Sequence, residues 1–131
     1  MNLLKSLIML LIVTAVLGCQ SYAQLRDENR DNISSVQIGD TEDSVVAKMG
    51  NKTADGLGSG KFANPYKRES VSLNNVNYTI WYYYTERIGE QNWEAGMTPV
   101  VFVNGKVVAV GWRSMERLGL DSNSSMTIRR R

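Results

Sequence analysis

Few residues in this chain have the type and spacing that chemistry needs. Glu86, Glu90 and Glu94 share one charged segment, ERIGEQNWEAGM. A pair of carboxylates flanking a glycosidic bond is the machinery of a glycoside hydrolase. Nothing in the sequence fixes their separation, and acidic side chains in a surface loop are ordinary. Asp40 and Asp43 form a second carboxylate pair, but beside Thr41 and Glu42 they read as the cap and first-turn anions of a helix. The stretch Gly56-Leu57-Gly58-Ser59-Gly60 has the glycine density of a phosphate cradle. No strand pattern precedes it and no helix pattern follows, so Asn51 to Asn64 reads as a surface loop. Other mechanisms are excluded outright. The 131 residues hold no His and one Cys, which removes Ser-His-Asp triads, Cys-His pairs, His-ligated zinc and any intrachain disulfide. A formal charge of +2 is too small for a nucleic-acid footprint. The reading is a non-enzyme with no cofactor, no metal, no nucleic-acid partner and no small-molecule substrate.

The remaining reactive group is the thiol of Cys19. Lys5 precedes an apolar run from Leu7 to Leu17, broken only by Thr14. That is the layout of a secretory signal, and it is too short to span a bilayer comfortably. The run ends in Val16-Leu17-Gly18-Cys19, which resembles the bacterial lipobox, where the residue after the cut is Cys because its thiol receives the diacylglycerol. Leu17 is bulkier than the usual Ala or Ser. Cleavage after Ser21-Tyr22-Ala23 is the alternative, as is an uncleaved anchor with an incidental thiol. The expected division is a signal over 1–18, lipidated Cys19 with a flexible polar tether over 19–35, a folded domain over 36–120, and a disordered basic tail over 121–131. Gln20 follows the Cys, and no Asp stands there to retain the chain at an inner membrane. The expected location is therefore the periplasmic face of the outer membrane of a Gram-negative bacterium.

The elements that must position everything else lie within the folded part. Asp40 or Thr41 opens a helix that Gly50 closes, with Val45, Val46 and Met49 on one apolar stripe. Lys67 to Leu73 alternates as a strand, Asn74-Asn75 turns the chain, and Val76 to Thr85 is the strongest strand signal. Thr98 to Val103 and Lys106 to Arg113 flank Asn104-Gly105, the dipeptide of a type I′ hairpin. An unbroken alternation places Val100, Phe102, Val107, Ala109 and Gly111 on a helix-covered face. Val101, Val103, Val108, Val110 and Trp112 then lie opposite, with Trp81 and Tyr83 beside them. That second face is too apolar to be solvated, so Trp81, Tyr83, Trp93 and Trp112 are the candidate partner-binding residues. Arg129, Arg130 and Arg131 are candidate contacts to anionic lipid, although a solvated basic end is the plainer reading.

The order of lipobox, tether, I-G-D-T-x-D-x-V-x-x-x-M-G helix and strands ending in T-P-V-V-F-V-N-G-K-V-V resembles the small outer-membrane lipoproteins of the SmpA/OmlA group. That group includes the BamE component of the barrel-assembly machinery. The match runs from about Val36 to Trp112 and rests on Ile38, Gly39, Thr41, Val45, Met49 and Gly50. It departs from the group after Gly50, where Asn51 to Ala63 looks like an insertion. The resemblance implies an α+β fold, with an N-terminal helix or two packed on a three- to four-stranded antiparallel sheet. It also implies a supporting role in outer-membrane assembly or integrity through an envelope protein or lipid partner. The competing expectations are a periplasmic inhibitor or masking protein with the β-lactamase-inhibitor type of layout, and a small cell-wall hydrolase acting through Glu86, Glu90 or Glu94.

Overall fold

A computed structural model of the chain describes residues 21–55, 61–87 and 93–121. The signal-like run, Cys19, Glu90, the Gly56–Gly60 stretch and the Arg129-Arg130-Arg131 cluster lie outside the described residues. Among the described residues, no helix is long and apolar enough to cross a membrane.

The expected tether is a helix. Tyr22–Ile33 forms α1, entered through a capping box. Ser21 Oγ accepts the Gln24 N–H at 3.3 Å, and Gln24 Oε1 accepts the Ser21 N–H at 3.1 Å. Two orphan amides of the first turn are thereby satisfied. The sequence hides this helix because its buried positions are Leu25 and Asn29. They lie four residues apart on one face, but one of them is polar, so no apolar period emerges. Residues 21–33, expected to be tether, are therefore part of the described fold.

The second helix, α2 (Glu42–Met49), follows its sequence signals. Thr41 Oγ1 accepts the Ser44 N–H at 3.1 Å, Glu42 and Asp43 occupy the first turn, and Val45 and Met49 are buried. Gly50 ends the helix at φ +77°. The segment expected to be a loop instead forms a small antiparallel pair, β1 (Thr53–Asp55) with β2 (Lys61–Ala63), in which Ala54 faces Phe62.

The main sheet is a four-stranded meander in the order β3-β4-β5-β6, comprising Lys67–Leu73, Val76–Tyr84, Met97–Val103 and Lys106–Val110. With the helices it makes the chain an α+β fold. Both tight turns have two residues at positive φ, Asn74 and Asn75 at +52° and +64°, Asn104 and Gly105 at +51° and +74°. That is the type I′ signature, whose twist matches that of the strands it joins. A Cβ at Gly105 would meet nothing within 4 Å, so any cost of substitution there is conformational. Gly105→Val is expected to lose about 1–3 kcal/mol, the range for a non-glycine residue held in sparsely populated backbone space. Urea denaturation checks this, and an unchanged midpoint would refute the turn's energetic role.

Each face of the sheet carries its own core. On one, Ile33 at the end of α1, Val36 just after it, and Val45 and Met49 of α2 lie against Trp81, Tyr83, Val100, Phe102 and Val107. On the other, Val71, Ile80, Tyr82, Tyr84, Val101 and Ala109 meet Met115 and Leu120. Met115 belongs to α3 (Trp112–Arg117), a final helix where an extension of the last strand was expected. Gly111 makes the break, at φ +87° with its N–H on Pro99 O at 2.8 Å. The expected face assignment fails at a β-bulge. Phe102 pairs with Val107 but Val101 pairs with Ala109, leaving Val108 as the extra residue. One extra residue exchanges faces for everything beyond it. Ala109 therefore joins Val101, and Val110 joins Val100.

Candidate functional site

The four aromatic residues proposed to bind a partner do not come together. Trp81 is 5% exposed and Tyr83 fully buried, both on the face that α1 and α2 cover. The Trp81 ring lies 4.6 Å from that of Phe102, and the Arg68 guanidinium stacks over it at 4.6 Å. Trp112 is on the opposite side, half-buried at the start of α3. Its indole N–H donates to Met97 O at 2.8 Å, and its ring packs 5.8 Å from Tyr82. Trp93 opens a 3-10 turn over Trp93–Gly96, and its side chain lies outside the described residues. Trp81 and Tyr83 are core residues. On the face opposite Trp81 and Tyr83, Met115 of α3 and Leu120 pack over Val101 and Ala109.

Several carboxylates act as clasps. Glu86 is held in a fork by Arg30, whose Nε and Nη2 donate to its two oxygens at 3.1 and 3.0 Å. The same Nε donates to Thr85 O at 3.1 Å, tying α1 to the end of β4. Asp40 accepts from Lys48 Nζ at 2.7 Å and from the Gln37 N–H at 2.9 Å. The ammonium and the amide hold its carboxyl below the usual carboxylate range. That contribution to stability is present above the ordinary carboxylate pKa and is lost as the pH falls through the lowered one. Lys52 pairs with Glu28 at 3.2 Å. Among the described residues, no three Asp, Glu, His or Cys side chains converge as a metal site.

A buried polar knot joins the helices to the sheet. Asn29 and Asn64 exchange amide hydrogen bonds at 2.8 Å in both directions. The second proton of Asn29 Nδ2 goes to Tyr84 O at 2.9 Å, and that of Asn64 to Met49 O at 2.8 Å. One pair of side chains thus fastens α1, the last carbonyl of α2, β4 and the approach to β3. Sequence reasoning missed it, since the two asparagines stand 35 positions apart and each alone reads as polar surface.

Two tyrosines of β4 are held neutral. Burial, then the Glu69 carboxylate that accepts the Tyr82 O–H at 2.9 Å, push the Tyr82 phenol up. Burial alone pushes Tyr83 up. Ionising either phenol disfavours the folded state, so stability is lost as the pH rises above the ordinary phenol value of 10.0. Among the described residues the Tyr83 hydroxyl has no hydrogen-bond partner, and a buried orphan hydroxyl costs about 1–3 kcal/mol. Tyr83→Phe is therefore expected to stabilise the chain by about 1 kcal/mol, read as a higher urea midpoint. A loss of stability would mean that the hydroxyl has a partner.

What the fold leaves open is an edge. β3 is hydrogen-bonded to β4 on one side, and no described strand pairs with its other side. Arg68, Ser70 and Ser72 are exposed along it, opposite Trp81, Thr79 and Asn77. These polar side chains lie on the helix-bearing face. At the other edge, β6 is capped. Gly39 N–H donates to Val107 O, and Val107 N–H to Asp40 O, both at 2.8 Å. An open edge can accept an added strand, with backbone bonds supplying affinity and alternate side chains supplying choice. Compared with protein-family models, with curated proteins and with solved structures, the chain matches none.

Proposed function

We propose that this chain is a non-catalytic lipoprotein, anchored through Cys19 at the periplasmic face of the outer membrane, that binds an extended segment of an envelope protein along β3. The observation that carries the binding is the contrast, among the described residues, between the sheet's two edges, one capped by residues 39–41 and one with no strand paired to it. The anchor rests on Val16-Leu17-Gly18-Cys19 and on Cys19 being the chain's one thiol. Resemblance to the SmpA/OmlA group supports a role in outer-membrane assembly or integrity. The ion pairs of Glu86 and Asp40 favour structural work for those carboxylates over hydrolysis.

Two measurements test the reading. Cys19→Ser is expected to abolish incorporation of labelled palmitate and to release the protein from the outer-membrane fraction. Unchanged labelling would end the anchor reading. A photoreactive side chain at Ser70 is expected to crosslink one envelope protein in intact cells, whereas the same group at exposed Gln37 does not. Equal yields from the two positions would remove β3 as the interface.

A further inference from the structure

The start of α1 sets how far the domain can stand from its anchor. Only Gln20 and Ser21 separate Cys19 from Tyr22, the first residue of the helix. Three Cα steps of about 3.8 Å reach at most about 11 Å, comparable to the depth of one headgroup layer. A polar leash of fifteen residues would let the domain swing. A chain that turns helical at once, with its first turn locked by the Ser21–Gln24 box, does not.

The surface beside that short connection is aromatic. The Tyr22 ring stacks on Phe62 at 5.9 Å, Phe62 stacks on Tyr66 at 5.4 Å, and Phe62 also packs on Tyr84 at 4.9 Å. Tyr66 is 40% exposed. The other exposed large apolar residue, Ile38, belongs to the opposite end of the sheet, next to the Gly39 contact with Val107. Aromatic rings with a polar edge favour the boundary between headgroups and acyl chains. A single interfacial contact binds weakly, but an acyl anchor at most about 11 Å from Tyr22 turns it into an intramolecular one.

Resting on the anchor reading above, we propose that the ledge formed by Tyr22, Phe62 and Tyr66 seats in the interfacial layer of the bilayer that holds the acyl chains of Cys19, fixing the domain's orientation. The Asn74-Asn75 and Asn104-Gly105 turns then point away from the membrane, since they lie at the end of the sheet opposite Tyr84.

The test uses the full acylated chain in vesicles of phosphatidylethanolamine and phosphatidylglycerol. Acylation consumes Cys19, so Tyr66→Cys or Ser72→Cys supplies the single thiol for a nitroxide label. The expected result is a several-fold higher ratio of oxygen to nickel-chelate collision at position 66 than at 72. Inserting a long Gly/Ser linker between Gln20 and Ser21 is expected to lower the ratio at 66 toward that at 72. Equal ratios in protein whose Cys19 is acylated by mass spectrometry overturn the seating and leave the anchor standing. A Cys19 without acyl chains overturns both.

Discussion

Asn29→Leu is expected to cost about 2–5 kcal/mol, a large fraction of the stability of a domain this size. The substitution keeps the side chain's branched skeleton, though with bulkier methyl ends, and strips Asn64 of two partners, for its Oδ1 and for one amide proton. Each stranded buried group costs about 1–3 kcal/mol. The carbonyl of Tyr84 loses a donor as well. The diagnostic quantity is the coupling. Once Asn29 is gone, replacing Asn64 by Leu removes the stranded groups, so Asn29→Leu with Asn64→Leu should cost at least about 1 kcal/mol less than the two single changes combined. Chemical denaturation of the four proteins measures it. Additivity within about 0.5 kcal/mol would mean that the amides contribute independently and that no knot exists.

Trp81→Ala is expected to cost about 3–5 kcal/mol, the range for truncating a buried aromatic. It removes the ring packed on Phe102 and the platform under Arg68. Trp112→Ala should cost less, because that ring is half-buried, although its N–H to Met97 O is lost too. Thermal or urea unfolding of the two variants decides the matter. If Trp81→Ala unfolded like the wild type, the helix-covered face would not be a core.

The comparison bears on what the sequence can reveal. Turn chemistry was legible, since Asn-Asn and Asn-Gly between alternating runs demand positive φ. So was α2, where Thr41, Glu42, Asp43 and Gly50 mark both ends. The open edge was partly legible as the alternation of Lys67 to Leu73, without any sign that β3 would lie outermost. The failures share a cause, a buried position that does not look apolar or a period that breaks. Asn29 disguised α1 as a tether. The bulge at Val108 exchanged Ala109 with Val110 between faces, and a strand read at strict period two cannot register an inserted residue. Without α1 and α3, period two alone leaves one sheet face bare, and Trp81 and Tyr83, which the structure buries, look like surface aromatics.

The placement of α1 has a consequence for how the chain is assembled in time. The four-stranded meander pairs sequence neighbours, and two of its three connections are two-residue turns, so its contacts close locally and early. The partners of α1 come late. Asn29 must reach Asn64, 35 positions on, and the Tyr84 carbonyl, 55 positions on. A chain delivered N-terminus first therefore emerges with Leu25 and Asn29 undocked, and they stay so until β4 has followed. During that interval α1 is not yet secured by the sheet. Once Tyr84 arrives, the same residues are pulled against the sheet and the interval closes.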